Sequence, residues 1–387
     1  MSLGVAERDQ RRARAADAVG EEITDWDRRA YLKIISTELS DDQIARIVEP
    51  QTLHPRQEAV LAVHWHPEFI PPDLIRRRLD AMFPNRSQEL IIPTQHNILV
   101  DYDGYSGVEV DCFSRSFNRK VQLLVHFRTE RVAQATVFRS MLERTFRYRA
   151  RQLFEFIDTL VDDAYEDRLQ KAADRAGADE NLVRFVRVHA AKLYRLFLEF
   201  ESKTPPVAIR NKILVHYFET LRSRFDPRMV NHAEMLLQAV KETVKHHFSN
   251  EFFYATEEVI EEVRGLGGSI VVPHPEQFWP ILLAEYDVDG YEVWNPQSQE
   301  FTEFLIQVVG RQNKARKRGD NPILIFMGDD CHMGEKAKDP EFQDPEKVGR
   351  EVGVQPAWDD LAIRKSLIVA GADRRTVIDD YKARLGA

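Results

Sequence analysis

Two histidines, His64 and His66, lie one position apart at the end of an apolar run in the 387-residue chain. The run, Ala59 to Val63, consists of residues that are common in buried β-strands. Alternate side chains of a strand point to the same face, so the two imidazoles are expected side by side. Such a pair predicts two ligands of a metal ion. It also fits one histidine packed in the core and one in solvent, so the interpretation depends on further donors.

Other short apolar runs along the chain also end in, or contain, a side chain that can bind a metal ion. These side chains are His96, Glu109, His126, His274, Asp330 and His332. Chance would scatter such residues, whereas here they recur at strand ends. Together with the first pair they make eight nitrogen and oxygen donors without a thiolate, which suits zinc, manganese or iron. A catalytic ion takes about three or four protein ligands, so the set predicts two or three divalent ions.

The predicted donor set has the composition of a hydrolytic metal site. Ions that share a bridging water supply a nucleophile at neutral pH and stabilise both the attacking and the leaving oxygen. That chemistry suits the hydrolysis of a phosphate ester. The predicted catalytic groups are a metal-bound water held by the ligand set, with Glu109 and Asp330 as carboxylates that bridge ions. Glu68, Asp73 and Glu292 are further candidates, and Glu292 could orient a ligating histidine.

The elements that must hold these donors differ along the chain. Strand-like runs alternate with amphipathic segments, which predicts an α/β barrel or a doubly wound sheet, and donors at strand ends favour the barrel. A central stretch, including Arg139 to Gln170, has apolar residues at helical spacing instead. Near the N-terminus, Ser40 and Gln43 have the spacing of a capping box. The predicted organisation is a helical N-terminal extension at 1–57, the first part of the barrel at 58–130, a helical insertion at 131–255, and the second part of the barrel with C-terminal helices at 256–387.

Net charge, cysteine content and the length of the apolar runs restrict the class of protein. A formal net charge of −9 disfavours nucleic acid as a general partner. The two cysteines, Cys112 and Cys331, imply no disulfide framework, and Cys331 is expected to point into the core. The sequence contains no apolar run of the roughly 18 residues that a membrane span requires. The first residues lack the apolar core of a signal peptide, so a cytoplasmic location without membrane contact is predicted.

Five motifs resemble the PHP (polymerase and histidinol phosphatase) domain family and occur in that family's order. They are His64-Trp65-His66, Thr94-Gln95-His96, Gly107-Val108-Glu109, Pro273-His274-Pro275 and Gly328-Asp329-Asp330-Cys331-His332. His126 falls where many members have a further histidine. The resemblance covers about 58–130 and 255–385, and it implies a distorted (β/α)7 barrel with two or three divalent metals and phosphoesterase activity. Two departures are Gln95 in place of the family's Asp, and 67–73 in place of its Ser-Asp-Gly turn.

The expected function is therefore metal-dependent hydrolysis of a phosphate ester in a small metabolite or nucleotide. Two alternatives stay open at this point. One is a nuclease of the same chemistry, which the acidic balance counts against. The other is a catalytically weak metal-binding domain whose helical insertion mediates protein interaction or forms a homo-oligomer. Hydrolysis of phosphomonoesters and phosphodiesters with added Mn²⁺ would distinguish the three.

Overall fold

The computed structural model describes residues 5–19, 21–317 and 319–386. The chain forms two compact units, each built from two segments. The helical unit comprises Met1–Glu38 and Arg147–Ser249, and the sheet unit comprises Leu39–Phe146 and Asn250–Ala387. The predicted extension at 1–57 is thus divided between the units, and the predicted boundaries stay predictions. Among the helices that the structure describes, none combines the length and apolar character needed to cross a membrane.

The structure is mixed α/β, as predicted. The α-helices are α1 (Val5–Val19), α2 (Asp25–Ile35), α3 (Asp41–Val48), α4 (Pro72–Met82), α5 (Thr129–Val132), α6 (Thr136–Val161), α7 (Glu166–Ala176), α8 (Glu180–Glu199), α9 (Lys212–Thr220), α10 (Pro227–His247), α11 (Thr256–Gly265), α12 (Thr302–Ala315), α13 (Gly334–Ala337), α14 (Pro345–Val348), α15 (Arg364–Ala370) and α16 (Arg374–Gly386). The strands are β1 (Ala59–Ala62), β2 (Trp65–His66), β3 (Gln88–Ile91), β4 (Gln95–His96), β5 (Val100–Tyr102), β6 (Tyr105–Ser114), β7 (Arg119–Arg128), β8 (Ser269–Val272), β9 (Gly290–Trp294), β10 (Leu324–Met327) and β11 (Cys331–His332).

The helical unit buries one apolar core between α1, α2, the later part of α6 and α7 to α10. In α8, buried residues such as Val186, Ala190 and Leu193 recur at helical spacing and form one face of that core. The segment from Arg139 to Gln170, which has apolar residues at helical spacing, is divided between α6 and α7. Asp162 ends the first helix, because its side chain accepts a hydrogen bond from Ala164 N at 3.0 Å and begins a new turn.

The sheet unit is organised around a sheet with the strand order β10-β9-β8-β7-β6-β4, and β5 pairs with β6 beside this path. β8, β9 and β10 pair in parallel, and β4 is parallel to β6. β7 is antiparallel to both of its neighbours, β6 and β8. Two shorter parallel pairs, β1 with β3 and β2 with β11, complete the described strands of this unit. The predicted capping box of Ser40 and Gln43 is confirmed at the start of α3.

Three of the predicted strands are each interrupted close to their C-terminal end. The run that begins at Ala59 divides into β1 and β2, and the same holds for β3 with β4 and for β10 with β11. In β1, Val60 packs in one apolar cluster and Leu61 in another, as alternation requires. Trp65 then packs in the same cluster as Val60, so the alternation changes phase at the interruption. Local apolar content did not reveal these breaks.

Backbone hydrogen bonds continue across the interruptions. Ile92 N donates to Ala62 O at 2.8 Å and Thr94 N donates to Trp65 O at 2.8 Å, next to the pairing of β1 with β3. On the other side of the same strand, Asp330 N donates to His64 O at 2.9 Å, next to the pairing of β2 with β11. The strand ends that carry the predicted donors are therefore neighbours. Closure of the strands into the predicted distorted barrel is not established by the three separate ladders and stays a prediction.

Candidate metal centre

His64 and His66 flank Trp65 at the interrupted end of the β1–β2 strand, and each is 1% exposed. Trp65 is fully buried on the opposite face, edge-on to the ring of Tyr102 at a centroid distance of 5.7 Å. The two imidazole rings lie 5.5 Å apart, centroid to centroid. The local sequence produces this arrangement because a large apolar residue between two histidines directs both imidazoles away from its own packed face.

Strand register brings the other predicted donors to the same place. His96 in β4 is directly opposite Glu109 in β6, and His66 in β2 is directly opposite His332 in β11. Within the described residues, three overlapping groups of donors have their ligand atoms within 4.8 Å of one another. The groups are His64, His66 and Asp330; His66, His96 and Glu109; and His64, Glu109 and His274. Six of the eight predicted ligands therefore lie in one cluster.

Asp330 approaches both histidines of the first pair. Its Oδ1 atom lies 3.7 Å from His64 Nε2 and 3.5 Å from His66 Nε2. On the other side of His66, the Oε2 atom of Glu109 lies 3.6 Å from the same Nε2. Glu109 Oε2 is also 2.7 Å from His96 Nδ1. His66 thus stands between two carboxylates, and Glu109 is shared by two of the donor groups.

Glu292 forms hydrogen bonds with two members of the donor groups, His64 and His274. His64 Nδ1 donates to Glu292 Oε1 at 2.8 Å, and the backbone N–H of His274 donates to Glu292 Oε2 at 2.9 Å. This leaves His64 Nε2 directed toward Asp330. Gly328 allows the contact, because a Cβ at this position would lie 1.6 Å from Glu292 Oε1. A carboxylate that fixes the orientation of an imidazole in this way is the usual partner of a ligating histidine.

Charges in the cluster favour cation binding. Burial opposes ionisation of Glu109, but the charge of His96 and its contact with the carboxylate hold the pKa of Glu109 well below its ordinary value. Burial likewise opposes ionisation of Asp330, and contacts with His332 and His66 hold its pKa well below its ordinary value. Burial, together with the charge of His332, lowers the pKa of His66 to about 3. At neutral pH the cluster therefore places a neutral imidazole between two ionised carboxylates, which is the protonation state that metal binding requires.

The pKa values of His64 and Asp329 are raised, whereas those of His66, Glu109 and Asp330 are lowered. Burial lowers the pKa of His64, but the charge of Glu292 and the hydrogen bond to it outweigh burial and raise it to about 10. Burial raises the pKa of Asp329 to about 7, although its Oδ2 atom accepts a hydrogen bond from Gly353 N at 2.8 Å. A concentration of perturbed groups in one cluster is typical of functional sites.

Unpaired polar atoms in the cluster test whether a metal ion fits. Both ring nitrogens of His66 are buried without a hydrogen-bond partner among the described residues, and so is His274 Nδ1. A buried polar atom without a partner costs about 1–3 kcal/mol. Several such atoms converging between ionised carboxylates are explained by a bound cation, so the residues fit a metal site.

His332 and Glu68 lie beside the three groups. The ring of His332 stacks on that of His66 at a centroid distance of 4.4 Å, and its Nε2 lies 3.5 Å from Asp330 Oδ1. Glu68 Oε1 is 3.4 Å from His332 Nδ1. Gln95, which stands where the resembled family has Asp, accepts a hydrogen bond from Glu68 N through its side chain at 3.2 Å. These residues therefore border the cluster and do not belong to its closest donor groups.

Two predicted residues are not brought to the cluster. His126 uses both ring nitrogens within the protein, with Nδ1 at 2.7 Å from Tyr381 Oη and Nε2 at 3.0 Å from Val63 O. Both ring nitrogens are thus engaged within the protein, the donor groups do not include His126, and its role as a ligand stays a prediction. Asp73 is exposed in the first turn of α4 and lines a surface cavity of about 410 Å³ together with Arg76. No residue of the donor groups lines that cavity.

Two neighbours of Asp330 were missed by sequence reasoning. Arg350 Nη1 donates to Asp330 Oδ2 at 2.6 Å, and Gln297 Nε2 donates to the same oxygen at 3.0 Å. Both come from loops without hydrophobic periodicity, so the sequence carried no signal for them. Cys331, by contrast, is fully buried in an apolar cluster, which confirms that it points into the core.

The backbone of the site departs from ordinary dihedral angles. Glu68, Asn97, His274 and Asp330 have φ values of 54°, 55°, 30° and 43°, in the left-handed region that non-glycine residues rarely adopt. Such conformations cost of the order of 1–3 kcal/mol each and persist where the surroundings hold them in place. Two of the four are members of the donor groups and the other two border them. The strain is concentrated at this end of the strands.

Comparisons with known proteins give little beyond this geometry. No protein-family model matches the chain, and no curated protein matches it. Among solved structures, the chain is similar to a candidate metal-dependent phosphoesterase from Bifidobacterium adolescentis, at 17% sequence identity. The similarity covers 81% of this chain and 97% of that chain, with a TM-score of 0.41. At this score the likeness carries no argument about function.

Proposed function

We propose that the chain is a metal-dependent hydrolase that cleaves phosphate esters of small molecules. The observation that carries the proposal is the convergence of three donor groups that share His64, His66 and Glu109. Groups that share donors suit a centre of more than one ion, and the donor types suit zinc, manganese or iron. The order of the five motifs, which resembles that of the PHP family, supports the same function.

The chain's own residues prepare the site for this chemistry. When bound, divalent ions of this kind activate water and neutralise charge on a phosphoryl group. Glu109 and Asp330 supply ionised carboxylates, while His66 supplies a neutral imidazole. Glu292 fixes the ring of His64.

The substrate is expected to approach from the side of His96 and His332. Their side chains are 28% and 17% exposed, whereas His64 and His66 are each 1% exposed. The scissile phosphate would thus meet the cluster at its more open edge. A small ester is favoured because the overall charge of the chain does not attract an extended polyanion.

We also propose that the strands close into the distorted seven-stranded barrel that the motif resemblance implies. Counting each interrupted strand once, and leaving out β5, which pairs with β6 beside the path, the ladders give seven positions. The hydrogen bonds of Ile92 and Thr94 support a link between β1–β2 and β3–β4, and that of Asp330 supports a link between β1–β2 and β10–β11. Such closure would gather all the donors at one rim, where barrel enzymes have their active sites.

The test is metal content and turnover of the full chain and of two site variants, His66→Ala and Asp330→Asn. We expect two or three equivalents of zinc, manganese or iron per wild-type chain and hydrolysis of p-nitrophenyl phosphate. Each variant should lose metal and turnover while retaining its circular dichroism spectrum. His232→Ala, which changes an exposed histidine of α10, is the matched control and should resemble the wild type.

Three outcomes would count against the proposal. Turnover of bis-p-nitrophenyl phosphate without the monoester would favour a nuclease. A metal-loaded protein that hydrolyses neither ester would favour a binding role. A wild-type chain that binds no metal after reconstitution would remove the basis of the proposed function altogether.

A further inference from the structure

Asp330 presents its two carboxylate oxygens to different surroundings. Oδ1 faces three imidazole nitrogens at distances of 3.5 to 3.7 Å. Oδ2 instead accepts hydrogen bonds from Arg350 Nη1 at 2.6 Å and from Gln297 Nε2 at 3.0 Å. Among the described contacts of this carboxylate, Oδ1 alone is directed at the histidines.

Arg350 is held firmly in this position. The residue is 7% exposed, and its Nη1 atom also donates to the backbone carbonyl of Asp330 at 3.2 Å. Its Nε atom donates to Glu346 O at 3.2 Å, while its own carbonyl lies 3.2 Å from Cys331 Sγ. A guanidinium does not deprotonate in proteins and has only donors, so Arg350 stays charged and can only donate to the Asp330 carboxylate. A permanent positive charge is thus fixed beside Oδ2.

The backbone of Asp330 is also fixed. Its φ of 43° lies in the left-handed region, and its N–H donates to His64 O at 2.9 Å. With the main chain fixed and Oδ2 bound by two donors, rotation of the carboxylate would break charge-assisted hydrogen bonds. Such bonds are stronger than hydrogen bonds between neutral groups. The orientation of Asp330 is therefore set before any ion binds.

We propose that Arg350, assisted by Gln297, is a positioning residue that restricts Asp330 to a single donor oxygen. This inference rests on the proposed metal-dependent function. A carboxylate that binds through one oxygen suits a small ion with few ligands, such as Zn²⁺. Carboxylates that bind through both oxygens suit ions of higher coordination number, among which Mn²⁺ prefers oxygen-rich octahedral sites. Arg350 thus biases the site toward the ion of lower coordination number.

The experiment uses Co²⁺ as a spectroscopic probe, because its visible absorption is intense at low coordination number and weak at six. Arg350→Met removes the donors and keeps much of the side-chain length. We expect the Co²⁺ bands of this variant to weaken, and the ratio of Zn²⁺ to Mn²⁺ affinity to fall about tenfold. Arg350→Lys keeps the positive charge and a single donor nitrogen, so its Co²⁺ absorption should lie between those of Arg350→Met and the wild type.

A matched control changes another arginine–aspartate pair of the sheet unit. Arg264 Nη1 donates to Asp289 Oδ2 at 2.7 Å, and Arg264→Met should leave the Co²⁺ spectrum unchanged. If Arg350→Met does not fold, Gln297→Ala decides the question, since Gln297 is exposed and bonds to the same oxygen of Asp330. We expect a smaller loss of absorption in that variant.

Two failures are distinguishable. A wild-type chain that binds no Co²⁺, Zn²⁺ or Mn²⁺ would overturn the proposed function and this inference together. A wild-type chain that binds metal and turns over substrate, beside a folded Arg350→Met variant with the same spectrum and the same Zn²⁺ to Mn²⁺ ratio, would overturn the role of Arg350 alone. If Arg350→Met does not fold, an unchanged Co²⁺ spectrum of Gln297→Ala would likewise overturn the positioning of Asp330 alone.

Discussion

His64 Nδ1 donates to Glu292 Oε1 at 2.8 Å, and both side chains are 1% exposed. The two residues are far apart in sequence, yet the carboxylate determines which nitrogen of His64 faces the donor cluster. The other oxygen of Glu292 accepts from the backbone of His274. A single buried side chain therefore orients one member of a donor group and the backbone of another.

Replacement of this carboxylate should weaken metal binding without unfolding the protein. In Glu292→Gln, one carboxylate oxygen becomes an N–H₂ group, which cannot accept from the donors that this oxygen now binds. We expect Zn²⁺ affinity to fall about 10–100-fold in competition titrations with a chromophoric chelator. Glu300→Gln changes an exposed glutamate in the 3₁₀ turn Gln299–Phe301 and is the control. Equal affinity of both variants and the wild type would show that Glu292 has no orienting role.

Gly328 should tolerate no side chain. In Gly328→Ala, the added Cβ would lie 1.6 Å from Glu292 Oε1 and 2.2 Å from its Cδ, so the carboxylate would have to leave His64. We expect a loss of about 1–3 kcal/mol in unfolding free energy and about tenfold weaker Zn²⁺ binding. Gly310→Ala is the control, because it lies within α12 with nothing within 4 Å of its Cβ. That variant should be more stable by about 0.5–1 kcal/mol.

His126 should affect stability and leave metal content intact. The substitution His126→Phe leaves Tyr381 Oη and Val63 O without their present partner, and each buried unpaired group costs about 1–3 kcal/mol. Urea denaturation should show the loss, while elemental analysis should give the same number of equivalents per chain as the wild type. Loss of an equivalent would mean that His126 is a ligand after all.

His189 should make the protein less stable in acid. It is buried among aromatic rings of the helical unit, with Phe185 at a centroid distance of 4.5 Å, and burial followed by the charge of Lys192 lowers its pKa to about 4. The unfolded chain binds this proton at a pKa of about 6.5. Between these values the unfolded state binds more protons, so the stabilisation present above pH 6.5 is lost as the pH falls toward 4.

The variant His189→Phe should remove this dependence. We expect unfolding free energies of the wild type and the variant to diverge by about 1–3 kcal/mol as the pH falls from about 7 to 4.5. His232→Ala, on the exposed side of α10, should follow the wild-type curve. Parallel curves for wild type and His189→Phe would exclude His189 as the cause of any acid sensitivity.

The donors were predictable because strand geometry is local. A period of two places His64 and His66 on one face, and the ends of neighbouring strands meet at one edge of a sheet. Arg350 and Gln297 were not predictable, because they reach Asp330 from loops whose course depends on tertiary packing. One partner of the His126 ring is Tyr381, 255 residues further along the chain. No local pattern reveals such a partner.

Helical periodicity likewise predicts the helices α6 to α10. It does not predict which other helices they pack against. The charge and helical spacing of residues 1–57 predict one extension, whereas Met1–Glu38 forms a compact unit with Arg147–Ser249. An amphipathic face shows that a helix needs an apolar partner and does not identify that partner. The end of α6 at Asp162 depends on a hydrogen bond from Ala164 N to the Asp162 side chain. Because other acidic residues surround Asp162 in the sequence, its capping role was not recognisable there.

The strand of His64 and His66 pairs with β11, the last strand in the described part of the chain. During synthesis the two histidines therefore emerge long before Asp330, and the incomplete chain holds only part of each donor group that depends on β11. A ribosome-bound fragment that stops before Gly328 should retain metal weakly. Completion of the donor group that contains Asp330 would therefore have to wait until β11 has been synthesised.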